Sequence, residues 1–207
     1  MGAGKHNLRT GTSQPMLRLR EMIGKVGRSR VSVLLQGESG TGKEVVARAI
    51  YAARPAGEFV PIDCGSLAPS LIESELFGHE RGAFTGAVGS RTGLLQTAHE
   101  GTAFFDEIGE LPSEAQVKLL RVLQQQEIRP VGSNSSQPCT FRVIAATNRN
   151  LEEEVRCGRF RLDPYFRLNV VALDLPPLRP PQGRHSVFGR GVLAEEWVPA
   201  SDHASSA

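Results

Sequence analysis

The chain has 207 residues, 40% of them apolar and 22% charged, enough for one sizeable core, or one domain with a tail, of globular and soluble composition. A formal net charge of +2 sets up no strong basic field that would argue for nucleic acid. Cys64, Cys139 and Cys157 lie far apart and form no C-x-x-C pair, which leaves no metal site or disulfide framework and points to a reducing cytoplasm. No run of about 18 apolar residues is present, so no transmembrane helix is expected, and the first residues carry no apolar signal region.

Residues 1–7 read as a flexible lead. Met16, Leu19 and Ile23 recur at helical spacing and predict a first helix. The apolar run 31–35 predicts a strand. It leads into Gly37, Glu38, Ser39, Gly40, Thr41, Gly42, Lys43 and Glu44, and a helical pattern follows from Val45 to Ile50. Strand, glycine-rich turn and helix form the setting of a phosphate-binding loop. Glycines let backbone N–H groups converge on phosphate oxygens, the helix start adds positive charge, and Lys43 reaches the β- and γ-phosphates. Glu44 stands where Ser or Thr would usually bind Mg²⁺. Residues 59–63 read as a second strand, in which Pro61 marks an edge or an irregularity.

Ser70 and Glu73 have the spacing of a capping box for a helix that stops at Gly78. Gly82, Ala83, Phe84, Thr85, Gly86 and Ala87 follow. They make either a mobile loop with an exposed aromatic tip, suited to a contact surface, or a turn whose Phe84 tucks into the core. Residues 101–107 form an apolar strand ending in Asp106 and Glu107. A strand-end Asp can bind the Mg²⁺ of a nucleotide, and the neighbouring Glu can orient or deprotonate a water. Ser113 and Gln116 form a second capping pair, at the start of a helix with a broad apolar stripe from Val117 to Leu123. A polar loop spans 132–138. A strand over 141–146 ends at Thr147 and Asn148, where Asn148 can reach a γ-phosphate or a water. Arg161 and Arg167 follow, six residues apart, and a last strand covers 170–175. Strands alternating with helices predict an α/β fold with a parallel sheet and ligand at the strand carboxyl ends.

Taken together, the chain resembles the central AAA+ domain of sigma-54-dependent transcription activators from about residue 8 to 179. Residues 37–44 match its Walker A, which itself carries Glu in the last position. Residues 74–80 lead into the GAFTGA loop at 82–87. Residues 101–107 match Walker B, 146–148 the first sensor, and 160–169 the arginine-finger segment. The resemblance implies a P-loop ATPase with a central parallel sheet, using ATP and Mg²⁺, that assembles into a ring, usually hexameric, and remodels RNA polymerase through its sigma-54 factor. It assigns the phosphates to Lys43 and the loop amides, Mg²⁺ to Asp106, water activation to Glu107 and γ-phosphate sensing to Asn148. Arg161 and Arg167 would act on a neighbour's ATP, and residues 82–87 would touch sigma-54. Asp63 stands where the family has a polar residue that restrains the catalytic Glu.

Two departures qualify these expectations. Pro164 replaces an apolar, helix-compatible residue, and proline suits a first helical turn but not an interior. Beyond Arg179, residues 180–207 lack the helical period of the family's lid, so the lid is expected to be missing and the tail disordered. No receiver or DNA-binding domain is legible in this sequence. The alternative reading is a catalytically weak interaction module that binds nucleotide or sigma-54 without productive turnover.

Overall fold

The structure is a computed structural model. It describes residues 14–176 and a two-residue antiparallel pairing of Asn7–Leu8 with Glu196–Trp197. The expectations for the lead 1–7 and the tail 180–207 otherwise lie outside the described residues.

The central strands of the sheet are buried on both faces, the pattern of a parallel sheet covered by helices, and the edge strands on one; five short strands make it up. They are β1 (Val33–Gln36), β2 (Phe59–Asp63), β3 (Thr102–Asp106), β4 (Arg142–Thr147) and β5 (Val171–Asp174). All pairings are parallel, in the order β2-β3-β4-β1-β5. The period of two sorts neighbours to opposite layers. Val33, Leu35, Phe104, Ile144 and Ala146 face a layer formed by α1 (Gln14–Gly27) and α2 (Lys43–Ala52). Leu34, Phe105, Val143 and Ala145 face the other layer, which contains α3 (Ile72–Phe77), α4 (Leu94–Thr97), α5 (Ser113–Gln125), α6 (Leu151–Arg156) and α7 (Leu162–Leu168). Phe104 and Phe105 are 1% and 0% exposed, so each contributes about 1.5–3 kcal/mol through apolar burial.

Met16, Leu19 and Ile23 lie on the packed face of α1, as their spacing predicts. The buried Arg142 donates to Val26 O at 2.8 Å and Gly27 O at 3.3 Å, a cation on the last carbonyls of α1. Pro61 sits on an edge strand.

Both expected capping pairs fail, for the same reason. The helix after Ser70 begins at Ile72 without a side-chain cap, and Glu73 is drawn away by Lys118. The helix at Ser113 also lacks a side-chain cap, because Gln116 is fully buried and bonded elsewhere. In each case a partner about 45 residues away outbids the local one. Of the apolar stripe on α5, Leu119 and Val122 are buried, while Val117, Leu120 and Leu123 are half-buried. The 132–138 stretch is not wholly loop, since Gln137–Pro138 pairs antiparallel with Glu127–Ile128. Among the described residues no helix is long and apolar enough to cross a membrane.

Candidate functional site

β1, β3 and β4 end at one rim of the sheet, and each delivers polar groups there. β1 runs into the 37–42 loop. Gly37 N–H donates to Thr147 O at 3.2 Å. A Cβ on Gly37 would stand 3.0 Å from Leu175 Cβ and from Thr41 Oγ1, so close approach requires glycine. Thr41 folds the loop on itself, donating to Glu38 O through N–H at 3.3 Å and through Oγ1 at 2.8 Å. Gly40 and Gly42 adopt φ of 80° and 84°, and a Cβ on Gly40 would meet nothing within 4 Å. The loop's outer side, with Glu38 and Ser39, is exposed.

α2 starts at Lys43, and its first helical bond runs from Val46 N–H to Gly42 O at 3.1 Å. The N–H groups before Val46 have no helical acceptor and stand at the positive end of the helix dipole. This arrangement of donors fits a chain of phosphates. Lys43 is only 6% exposed. Its Nζ donates to Gly37 O at 3.1 Å and lies 3.3 Å from Glu107 Oε1. Glu44 turns away along the helix to Arg48, with Oε1 accepting from Nε at 2.9 Å, so its carboxylate is committed outside the cluster.

Glu107 is the centre of the arrangement. Its backbone is left-handed, φ 49° and ψ 51°, a strained choice for a non-glycine residue. Its N–H donates to Asp106 Oδ1 at 3.1 Å, and its Oε2 accepts from Asn148 N–H at 3.0 Å. One carboxylate therefore spans the Lys43 ammonium and the Asn148 backbone, joining all three strand ends. Burial pushes the Asp106 carboxyl up, and Glu107 and Asp63 add to the rise, while the Glu107 N–H and Lys43 oppose it. A carboxylate crowded in this way gains from a divalent cation, so Asp106 suits Mg²⁺.

Asp63 is in register with Asp106, but its Oδ1 accepts from Gly65 and Ser66 N–H at 3.0 and 3.2 Å. Its hydrogen bonds close its own turn, and Lys43 and Asn148 hold Glu107 instead. A cleft of about 400 Å³ opens beside the cluster, bounded by Gln36, Gly37, Glu38, Asn148 and Asp174. Asp174 was not singled out from sequence, although a carboxylate ending β5 is the same signal that marked Asp106.

Arg161 and Arg167 stand apart from this cluster. Arg161 precedes α7, donates its N–H to Gln116 Oε1 at 2.8 Å and places its guanidinium 3.7 Å from Asp163. Arg167 Nη2 donates to Leu123 O at 3.3 Å. Pro164 is the third residue of α7, within the first turn, so it removes no helical hydrogen bond and leaves Arg167 on a regular helix.

The 82–87 loop is a separate structure. Gly82 and Gly86 have φ of 81° and 100°, and Gly82 N–H donates to Ala87 O at 2.9 Å, closing the turn. Ala87 is buried, and Ala83 lies against Gly132, where a Cβ would come within 2.7 Å. His79 anchors the base, bridged to Arg91 on one side and Val131 on the other. Phe84 takes neither extreme. It is 39% exposed and packs edge-on with the His79 ring, the two centroids 5.1 Å apart. Val88, which no motif marks, is 83% exposed.

The family model described as "Sigma-54 interaction domain" matches residues 9–174. The chain is 54% identical over 165 residues to the transcriptional regulatory protein GlrR of Escherichia coli K12, covering 79% of this chain and 37% of that protein. It is 53% identical over 171 residues to the nitrogen fixation protein VnfA of Azotobacter vinelandii, covering 82% and 33%. The chain thus spans roughly a third of the curated relatives it matches. Among solved structures, NtrX from Brucella abortus in complex with ADP superposes with a TM-score of 0.76 at 38% identity, covering 83% of this chain and 38% of that one. A P-loop NTPase domain of an E. coli sigma-54 activator shares the fold at 23% identity and a TM-score of 0.55. With the parallel sheet order in place, the fold is that of a P-loop NTPase, and the chain belongs to the sigma-54 interaction domain family.

Proposed function

We propose that this domain binds ATP with Mg²⁺ at the 37–42 loop, hydrolyses it, and uses the 82–87 loop to act on the sigma-54 factor of RNA polymerase. The observation that carries the reading is the Glu107 bridge between Lys43 and Asn148, at the open end of a glycine loop that starts a helix. NtrX, which shares this fold, was solved with ADP and with ATP.

Lys43 and the first-turn N–H groups of α2 hold the phosphates. Asp106 would hold Mg²⁺, which would supply positive charge against that of the phosphates. Lys43 exchanges its loop carbonyls and Glu107 for phosphate oxygens. That exchange releases Glu107 Oε1 to orient and deprotonate a water. Asn148, on the other arm of Glu107, reports whether the terminal phosphate is in place. Arg161 and Arg167, exposed and outside the cleft, meet the nucleotide of a neighbouring copy in a ring, where such fingers contribute roughly 10³–10⁵ in rate.

ATP turnover measured against protein concentration tests the whole reading. Specific activity that rises cooperatively supports assembly and trans-acting arginines. Nucleotide binding without turnover at any concentration would replace it with a binding module.

A further inference from the structure

A polar network centred on two buried side chains, Gln116 and Glu154, ties the 159–169 segment to α5 and α6. Gln116 is fully buried, and both ends of its amide are bonded. Nε2 donates to Leu111 O at 2.8 Å and Arg159 O at 3.2 Å, and Oε1 accepts from Arg161 N–H at 2.8 Å. Glu154 accepts two charge-assisted bonds from the Arg159 guanidinium, at 2.7 and 2.8 Å. The Glu154 main-chain O takes the N–H groups of Arg159 and Phe160 at 2.9 and 3.1 Å. Arg159 first, and Arg149 after it, hold the Glu154 carboxyl below the usual carboxylate range.

Arg149 joins this clamp to the Glu107 cluster. It follows Asn148, whose N–H lies on Glu107. Its guanidinium pairs with Glu110, in the turn directly behind Glu107, and also approaches Glu154 Oε2 at 3.6 Å. That oxygen is the one already bonded to Arg159 Nε. Arg149 therefore divides itself between two carboxylates, one behind Glu107 and one holding Arg159. Any shift of Asn148 relative to Glu107 redistributes that division, and Arg159 feels it through a shared oxygen.

We propose that Arg149, Glu154 and Gln116 are positioning residues that set Arg161 according to the state of the Glu107–Asn148 pair in the same subunit. The inference rests on reading that pair as part of the nucleotide site. Gln116 is the fixed arm, because it bonds both sides of the turn that presents Arg161. Glu154 is the adjustable arm, because two guanidiniums compete for it.

Hydrogen–deuterium exchange on the full chain, with and without saturating ADP and Mg²⁺, tests the proposal. In the wild type, ADP should slow exchange in residues 37–43 and change it several-fold in residues 159–168. The Arg149 side chain is 39% exposed, so Arg149→Ala should fold. This variant should keep the response at 37–43 and lose the response at 159–168, and Arg149→Lys should restore part of it. Glu154→Gln and Gln116→Leu should speed exchange at 159–168 by roughly tenfold with or without ADP, the loss of a charge-assisted or buried hydrogen bond. Protection at 37–43 with no change at 159–168 in the wild type would overturn the inference alone. So would an Arg149→Ala chain that responds like the wild type. No protection at 37–43 would overturn the nucleotide-site reading and this inference with it.

Discussion

The cleft around Lys43 and the loop around Phe84 are both built on glycines with positive φ, and they use them in opposite directions. In the 37–42 loop, Gly40 and Gly42 turn the backbone through positive φ, while the buried Lys43 is bonded to the Gly37 carbonyl and paired with the half-buried Glu107 carboxylate. In the 82–87 loop, Gly82 and Gly86 close the backbone onto itself, Ala87 is buried, and the Phe84 ring is left partly exposed. The first arrangement suits charge, since fixed dipoles need a site screened from water. The second suits contact with another protein, since an exposed ring on a short anchored turn loses little entropy when it is covered. A glycine pair therefore says that the backbone does something unusual, and the groups around it decide what.

The comparison predicts that substitutions in the two regions separate cleanly. Glu107→Gln should lower ATP turnover by about 10³-fold while nucleotide still binds, because the carboxylate serves water activation and not phosphate affinity. Normal turnover in this variant would remove Glu107 from the chemistry. Lys43→Ala should weaken ADP binding by about 10²-fold, read by titration calorimetry, since one buried ammonium provides the fixed charge. An unchanged affinity would mean that the backbone amides suffice. Phe84→Ala and Thr85→Ala should each reduce capture of purified sigma-54 by about tenfold, leaving ADP affinity as it was. Parallel loss of turnover and capture would show that the loop supports the fold.

The smallest effect should be on stability. Burial and Glu107 raise the Asp106 carboxyl, so its charged form is disfavoured in the folded state. The stability it contributes is complete below the ordinary carboxylate value of about 3.9 and is lost as pH rises through the raised value. Asp106→Asn should therefore melt about 1–3 °C higher than wild type at pH 7. The gain should vanish near pH 3. A variant that melts lower at pH 7 would show that the fold favours the Asp106 carboxylate.

Sequence made the sheet and the cluster legible because both rest on local signals. Short apolar runs, the glycine spacing and strand-end polar residues are all read within a few positions. Pro61 and Gly78 fell where their backbone chemistry places them, at an edge and at a helix end. What could not be read depends on distant partners. Gln116 fits a capping pattern with Ser113, yet its amide serves Arg159 and Arg161, more than 40 residues on. Glu73 fits a cap for Ser70 and pairs with Lys118 instead. The spacing of Arg161 and Arg167 gave no sign that α5 holds both, through Gln116 and Leu123. Composition leaves Phe84 open between exposure and burial; the ring is exposed, with His79 against it.

The edge strand β2 has a further consequence. Thr102 N–H reaches Glu58 O and Cys64 N–H reaches Asp106 O, so even-numbered residues of this stretch bond inward to β3. Odd-numbered residues turn their backbone groups outward, and Pro61 is among them. The middle of the free edge therefore offers a ring methylene where an incoming strand would need a donor. A second sheet cannot extend this one through β2 without a break in its ladder. The proline that looks like an irregularity in a strand thus guards this edge of the sheet against edge-to-edge pairing.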